Sequence, residues 1–206
     1  MRGDSSATSR TRCKNTTPSV RVVGVDDGAF RANKRVQQRT LLAAVLFRGL
    51  HVDALRLGRI EVDGRDANEV LVSLLRSLRF DAVMLSGISF GGFNLVNIAQ
   101  LAKAARRPVI AVAGERPDNS AVRKALRMHF SDWPDRWEMV RAAGRLYSFR
   151  PLPEEPRLYF EVKGTSPAVA KKIIGSMSMI SRLPEPIRVA GILARGLSAI
   201  LSLGAH

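Results

Sequence analysis

The sequence predicts an α/β fold built on a single mixed sheet, in which a three-stranded antiparallel meander is followed by a parallel βαβ half and helices cover both faces. Three observations predict it. Three apolar runs, Val20 to Val25, Leu41 to Phe47 and Val52 to Val62, follow one another with turn signals after them, as strands of a meander do. From Asp66 onward, helical stripes alternate with short β-branched runs, the grammar of βαβ units. A chain of 206 residues, 46% hydrophobic and 25% charged, is also large enough to bury a sizeable core.

The first run ends in Asp26-Asp27-Gly28 and reads as a buried strand that delivers two carboxylates to a loop. Gly49 turns the second run back, and the third stops at Asp63-Gly64, so the three strands have hairpin-length connections. Asp66 then stands as an N-cap with Glu69 three residues later, the spacing of a capping box. Val70, Leu71, Leu74, Leu75 and Leu78 continue it as an apolar stripe, which predicts a helix to about Arg79. Asp81 to Leu85 reads as a fourth strand, Ser86 to Gly92 as a glycine-rich turn, Asn94 to Ala105 as a helix and Pro108 to Ala113 as a strand parallel to the fourth. Two short helices follow, Asn119 to Phe130 and Pro134 to Ala143, then two edge strands, Arg145 to Phe149 and Leu158 to Val162. Ser166-Pro167 opens a helix through Ile174, and Pro186 opens a C-terminal helix that packs on the sheet.

Composition narrows the function. The single cysteine, Cys13, closes no intramolecular disulfide and supports no cysteine-ligated zinc site, so a reducing cytoplasm and no disulfide-linked partner are expected. Thirty-three Lys and Arg against 18 Asp and Glu leave +15, and 26 of the 33 are Arg. A guanidinium is always ionised and its planar fork matches phosphate oxygens, so a nucleic-acid partner is one reading; an Arg-rich solvated surface is the other. Aromatics at 6% argue against a base-stacking platform. The apolar stretch from Val189 to Ala205 is short for a membrane span and is broken by Arg195. Residues 1–17 hold Arg2, Arg10, Arg12 and Lys14 without an apolar core, and read as a disordered basic tail ahead of one domain over 18–206.

Three strands up and down, a helix, a strand, a helix and a further strand is the order of the ribonuclease-H-like fold. There the first and fourth strands are neighbours, which brings Asp26 near Ser86, and the start of the helix after the third strand brings Asp66 and Glu69 to the same region. A phosphodiester-cleaving site of that type holds divalent metal in oxygen ligands and needs clustered negative charge.

Five segments, Gly24-Val25-Asp26-Asp27-Gly28-Ala29-Phe30, Val62-Asp63-Gly64-Arg65-Asp66-Ala67, Gly91-Gly92-Phe93-Asn94, Arg116-Pro117-Asp118 and Pro184-Glu185-Pro186-Ile187-Arg188-Val189-Ala190, together resemble an uncharacterised archaeal family distantly related to endonuclease V. The resemblance runs from about Val20 to the end. Endonuclease V is a metal-dependent nuclease that cuts near deaminated bases, so the resemblance implies a nucleic-acid-directed protein and Mg²⁺ or Mn²⁺ as the cofactor to consider. It matches Asp26 to the first-strand metal ligand and Glu69 to the second acidic ligand, with Asp66 the competitor. The fourth-strand aspartate is replaced by Ser86, an aspartate by Asn97, and a histidine of the last helix by Gly191. A hydroxyl, an amide and no side chain at all are weak substitutes for charged ligands, so an incomplete metal centre is expected rather than ordinary two-metal cleavage.

Each candidate has a plainer reading beside it. Asp26 and Asp27 fit a turn cap, and Asp66 with Glu69 fits a capping box. Gly87, Gly91, Gly92 and Arg116 are candidate phosphate-binding residues, yet a glycine turn without a Walker lysine is equally plain turn geometry. Glu185 and Arg188 suit a one-turn ion pair, and His51 and His129 are assigned no role. Nucleic-acid binding with an incomplete metal centre leads. A metal-dependent endonuclease using Asp26 and Glu69 on deaminated-base DNA or RNA, and a protein-interaction scaffold, are the alternatives.

Overall fold

The structure is a computed structural model that describes residues 20–30 and 39–203. The expected basic tail lies outside the described residues. In chain order the elements are β1 (Arg21–Asp27), β2 (Arg39–Arg48), β3 (His51–Glu61), α1 (Ala67–Leu75), β4 (Ala82–Ser86), β5 (Ser89–Phe90), β6 (Asn94–Leu95) and α2 (Ile98–Ala105). They continue as β7 (Val109–Ala113), α3 (Asn119–His129), α4 (Trp133–Ala143), β8 (Tyr147–Phe149), β9 (Leu158–Lys163), α5 (Pro167–Met177) and α6 (Glu185–Leu203).

Seven strands make one mixed sheet in the order β3-β2-β1-β4-β7-β9-β8. β1, β2 and β3 are the antiparallel meander, and β4 joins β1 in parallel with Val25 opposite Leu85. β7 continues the parallel half beside β4. The parallel strands are buried on both faces, which is why they read as unbroken Val, Ala, Ile and Leu rather than as alternation.

Side chains alternate across the sheet, and the alternation decides what each face buries. Val23, Val25, Val83 and Leu85 pack with Leu71, Leu75, Ile98 and Leu101 on the α1 and α2 face. Val22, Met84 and Ile110 pack with Ile174, Met177 and Ile187 on the α5 and α6 face. Helix α6 also covers Ala43, Val45 and Phe47 of β2 through Ala190 and Ala194. It lies against β1 and the residue that follows it because both present glycine there: a Cβ at Gly24 would overlap the Pro186 backbone carbonyl, and one at Gly28 would overlap Ser198 Oγ.

Four expectations change in detail. Helix α1 stops at Leu75, not near Arg79, because Ser77 takes a left-handed φ of 69° and the chain turns so that Phe80 joins the core. Residues 94 and 95 begin no helix; they close a two-stranded hairpin with Ser89 and Phe90, and α2 starts at Ile98 behind Asn97. β9 is no edge strand, since it lies antiparallel between β7 and β8. Asp66 precedes α1 but its side chain caps nothing in that helix; its role is non-local, as the site shows.

Candidate functional site

The parallel strands β1, β4 and β7 end at one edge of the sheet, where open α/β sheets place their ligands. The loops leaving that edge begin at Asp26-Asp27, Ser86-Gly87 and Gly114-Glu115-Arg116. Asp26 and Ser86 follow the Val25 and Leu85 pair in register, and both point to the α6 face. The Ser86 hydroxyl lies close enough to the Asp26 carboxylate to favour its ionised form.

From α6, Arg195 reaches the same carboxylate, with Nη1 3.3 Å from Oδ2. The Asp26 side chain is only 13% exposed whereas that of Arg195 is 56% exposed, so a buried carboxylate meets a guanidinium that comes in from solvent. Gly191, one turn before Arg195, makes the approach possible. A Cβ at that position would overlap Asp26 Oδ2 and come within 2.6 Å of Arg195 Nη2. The position at which the resemblance led us to expect a histidine therefore does face Asp26, and its lack of a side chain makes room for the arginine.

Burial pushes the Asp26 carboxyl above the usual carboxylate range. The Asp27 N–H, 3.0 Å from Oδ1, pulls it down; the neighbouring Asp27 charge pushes it up; Arg195 and Ser86 pull it down again. Burial likewise raises Asp27, against the N–H of Gly91, which donates to Oδ2 at 2.5 Å.

Alternation sends Asp27 to the opposite face from Asp26, toward the β5–β6 hairpin and α1. The remaining sequence candidates are found on that side. Asp66 accepts the Glu61 N–H at 3.1 Å and Asn94 Nδ2 at 2.6 Å, while Asn94 Oδ1 accepts the Ala67 N–H and so caps α1 from another strand. Glu69 is exposed and lines a surface groove with Val72, Arg76 and Gln100 between α1 and α2. The structure thus unites Asp26 with Ser86, and places Asp66 just ahead of the helix packed against the other face and Glu69 on it.

The glycine loop is engaged internally. Gly87 N–H donates to Val112 O at 2.9 Å, Gly91 N–H is held by Asp27, and Gly92, at φ 86°, sits against the Asp63 carboxylate, which accepts the Phe93 N–H. The Gly87 and Gly91 amides are not turned outward to a phosphate, and a carboxylate beside Gly92 disfavours an anion. Arg116 is exposed on the loop after β7 at the same sheet edge. Asn97 accepts the Ala99 and Gln100 N–H groups at 3.1 Å each, so it is the N-cap of α2. Glu185 and Arg188 pair at 2.6 Å, as their spacing suggests.

Two important residues escaped sequence reasoning. Arg195 had one signal, a lone charge in an apolar helix one turn after Gly191. Arg136, 6% exposed, had none: it donates to Gly64 O, Phe93 O and Asp63 O at 3.0, 2.7 and 2.9 Å and pairs with Asp132, binding α4 to the loops that carry Asp63 and Gly92.

A divalent centre would need several hard anionic oxygens converging on one point. At Asp26 the neighbours are a hydroxyl and a guanidinium, and among the described residues no three His, Cys, Asp or Glu side chains gather in a geometry that could hold a metal. The donor set does not fit a resident divalent cation.

The strand order, the β1–β4 pair and the strand-end carboxylate define an endonuclease-V-like α/β fold. The same fold is found in the Ciona intestinalis endonuclease V crystallised with a 24mer DNA containing inosine, at 14% identity and TM-score 0.59 over 88% of this chain and 87% of that one. The chain belongs to the family described as Endonuclease dU, whose pattern matches residues 18–198. It is 37% identical to a UPF0215 protein of Thermococcus gammatolerans over 88% of this chain and 93% of that one. A protein of unknown function from Archaeoglobus fulgidus superposes with TM-score 0.76 at 26% identity, over 86% of this chain and 98% of that one. Among the described residues no helix is long and apolar enough to cross a membrane.

Proposed function

We propose that the chain acts as one domain over residues 18–206 in the cytoplasm, binds nucleic acid through arginine-to-phosphate contacts, and has a metal centre too incomplete for ordinary two-metal cleavage. The observation that carries this is the Asp26 carboxylate, answered by Ser86 and by Arg195 at 3.3 Å rather than by further carboxylates. A guanidinium neutralises the buried charge without supplying the Lewis acidity that a metal contributes to phosphodiester cleavage. The formal charge of +15 supports phosphate binding, with Arg116 at the carboxyl edge as one contact.

The family description and the inosine-containing DNA bound to the Ciona relative make deaminated-base DNA the first polymer to test. Binding of uracil- and inosine-containing oligonucleotides is expected with dissociation constants on the order of 10⁻⁴ to 10⁻⁶ M and a steep loss with salt. No binding at low ionic strength would reject the reading.

The exposure of Arg195 keeps a second reading in play, because a side chain 56% accessible can swing away from Asp26. In that reading the chain is a metal-dependent endonuclease in which Asp26, freed of Arg195, serves Mg²⁺ or Mn²⁺, without Glu69, which lies on the other face. Nicking that requires either ion and disappears in Asp26→Ala would establish it; no cleavage with either ion leaves the binding reading.

A further inference from the structure

Away from the strand ends, α3 and α4 form a surface that the site above does not use. Ser120, Arg123, Lys124, Arg127 and Met128 line one exposed face of α3. Just before α4 and along it, the carboxylates that could neutralise it are already taken: Asp132 by Arg65 and Arg136, Asp135 by Arg65, and Glu138 by Arg141. Among the described residues no carboxylate pairs with Arg123, Lys124 or Arg127, and the one acidic group of α3's own N-terminus, Asp118, is engaged as its cap by the Ser120 and Ala121 N–H groups.

Two of these cations are held in place by aromatic rings. The Arg123 guanidinium lies 5.6 Å from the Trp137 ring centre and that of Arg127 lies 5.4 Å from Trp133, so both tryptophans of the chain sit beneath an α3 arginine. Stacking fixes the fork of each guanidinium while leaving its N–H edge free for an oxyanion. The pair of helices is also anchored to the sheet edge. Phe130 packs edge-on against Phe93 at 5.5 Å, and Arg136 lies over Phe130 while it binds the carbonyls of Asp63 and Phe93.

We propose that Arg123, Lys124 and Arg127 form a preorganised contact surface for the phosphodiester backbone of a nucleic acid, with Trp133 and Trp137 as positioning residues for the arginines. The proposal rests on the nucleic-acid reading above and adds where the polymer lies: on the α3–α4 face, which the buried Arg136 ties to the loops carrying Asp63 and Phe93.

The test uses the full chain, a fluorescein-labelled 24-mer as single strand and as duplex, and three variants: Arg123→Glu/Arg127→Glu, the milder Arg123→Gln/Arg127→Gln, and Lys171→Glu/Lys172→Glu on α5 as an equal change of net charge elsewhere. Circular dichroism and thermal melting verify folding, and the Gln pair keeps the test decisive should the Glu pair fail to fold. Two lost phosphate contacts are expected to lower the slope of log affinity against log salt by about 2 and to weaken binding roughly tenfold or more, with a much smaller loss for the α5 pair. Because both tryptophans lie under this face, oligonucleotide binding is also expected to change the intrinsic emission of the wild type. Binding by the wild type that is unaltered in the α3 variants, or reduced equally in the α5 pair, would overturn this surface and leave the nucleic-acid reading standing. No binding by the wild type would overturn that reading, and this surface with it.

Discussion

Replacing Arg195 by Met keeps the apolar stem of the side chain and removes the charge that faces Asp26. The pair is a single contact of 3.3 Å with one partner 56% and the other 13% exposed. Fully exposed pairs contribute about 0–1 kcal/mol, whereas stranding a buried charge costs about 3–5 kcal/mol. This half-buried case should fall between them, at about 1–2 kcal/mol. The sign with pH follows from the carboxyl. Burial already holds Asp26 above the usual carboxylate range and Arg195 pulls it down, so Arg195→Met pushes it higher still. The loss is therefore full where Asp26 is ionised and fades as pH falls through its raised value, where a neutral carboxyl gains little from a cation. Urea denaturation of wild type and Arg195→Met at a series of pH values, repeated in an Asp26→Asn background, measures it. An equal deficit at every pH, or one undiminished by Asp26→Asn, would show that Arg195 acts through packing of its stem and not through Asp26.

Three further outcomes are expected. Gly191→His should lower stability by about 1–3 kcal/mol in chemical denaturation, since its Cβ overlaps Asp26 Oδ2 and crowds the Arg195 guanidinium; a neutral effect would mean that the Arg195 and Asp26 side chains swing aside to admit it. Arg136→Ala should cost about 3–5 kcal/mol, and Arg136→Lys nearly as much, because one ammonium cannot span the carbonyls of Asp63, Gly64 and Phe93; full rescue by Lys would refute the fork geometry. Burial raises Glu161 on β9 from 4.5 to about 7, so the folded state resists ionisation and stability should fall as pH rises between those values. Glu161→Gln should remove the loss, gaining about 1–2 kcal/mol at pH 8 after allowance for partial exposure and almost nothing at pH 4.5, as read from melting curves at the two pH values.

What was legible in the sequence was local, or followed from topology. Apolar runs with β-branched residues located the strands, and element order placed β1 beside β4, which is enough to set Asp26 next to Ser86. What was not legible depends on contacts between distant segments. Asp66 at a helix start satisfies every local rule for an N-cap, yet Asn94, 28 residues away, offers its amide and draws the carboxylate out of the helix. Asp26 and Asp27 read as one carboxylate pair, but a strand sends successive side chains to opposite faces, so one meets α6 and the other the Gly91 N–H. Arg195 is 169 residues from Asp26 in sequence, and only the packing of α6 through Gly24 and Gly28 joins them.

The most direct test of the Asp26 assignment is a crystal soaked in Mn²⁺ and measured at a wavelength where manganese scatters anomalously. The expected map shows the Arg195 guanidinium on the Asp26 carboxylate and no anomalous peak at coordination distance from it. A manganese peak bound to Asp26, with Arg195 displaced, would contradict that assignment and make the centre a working metal site.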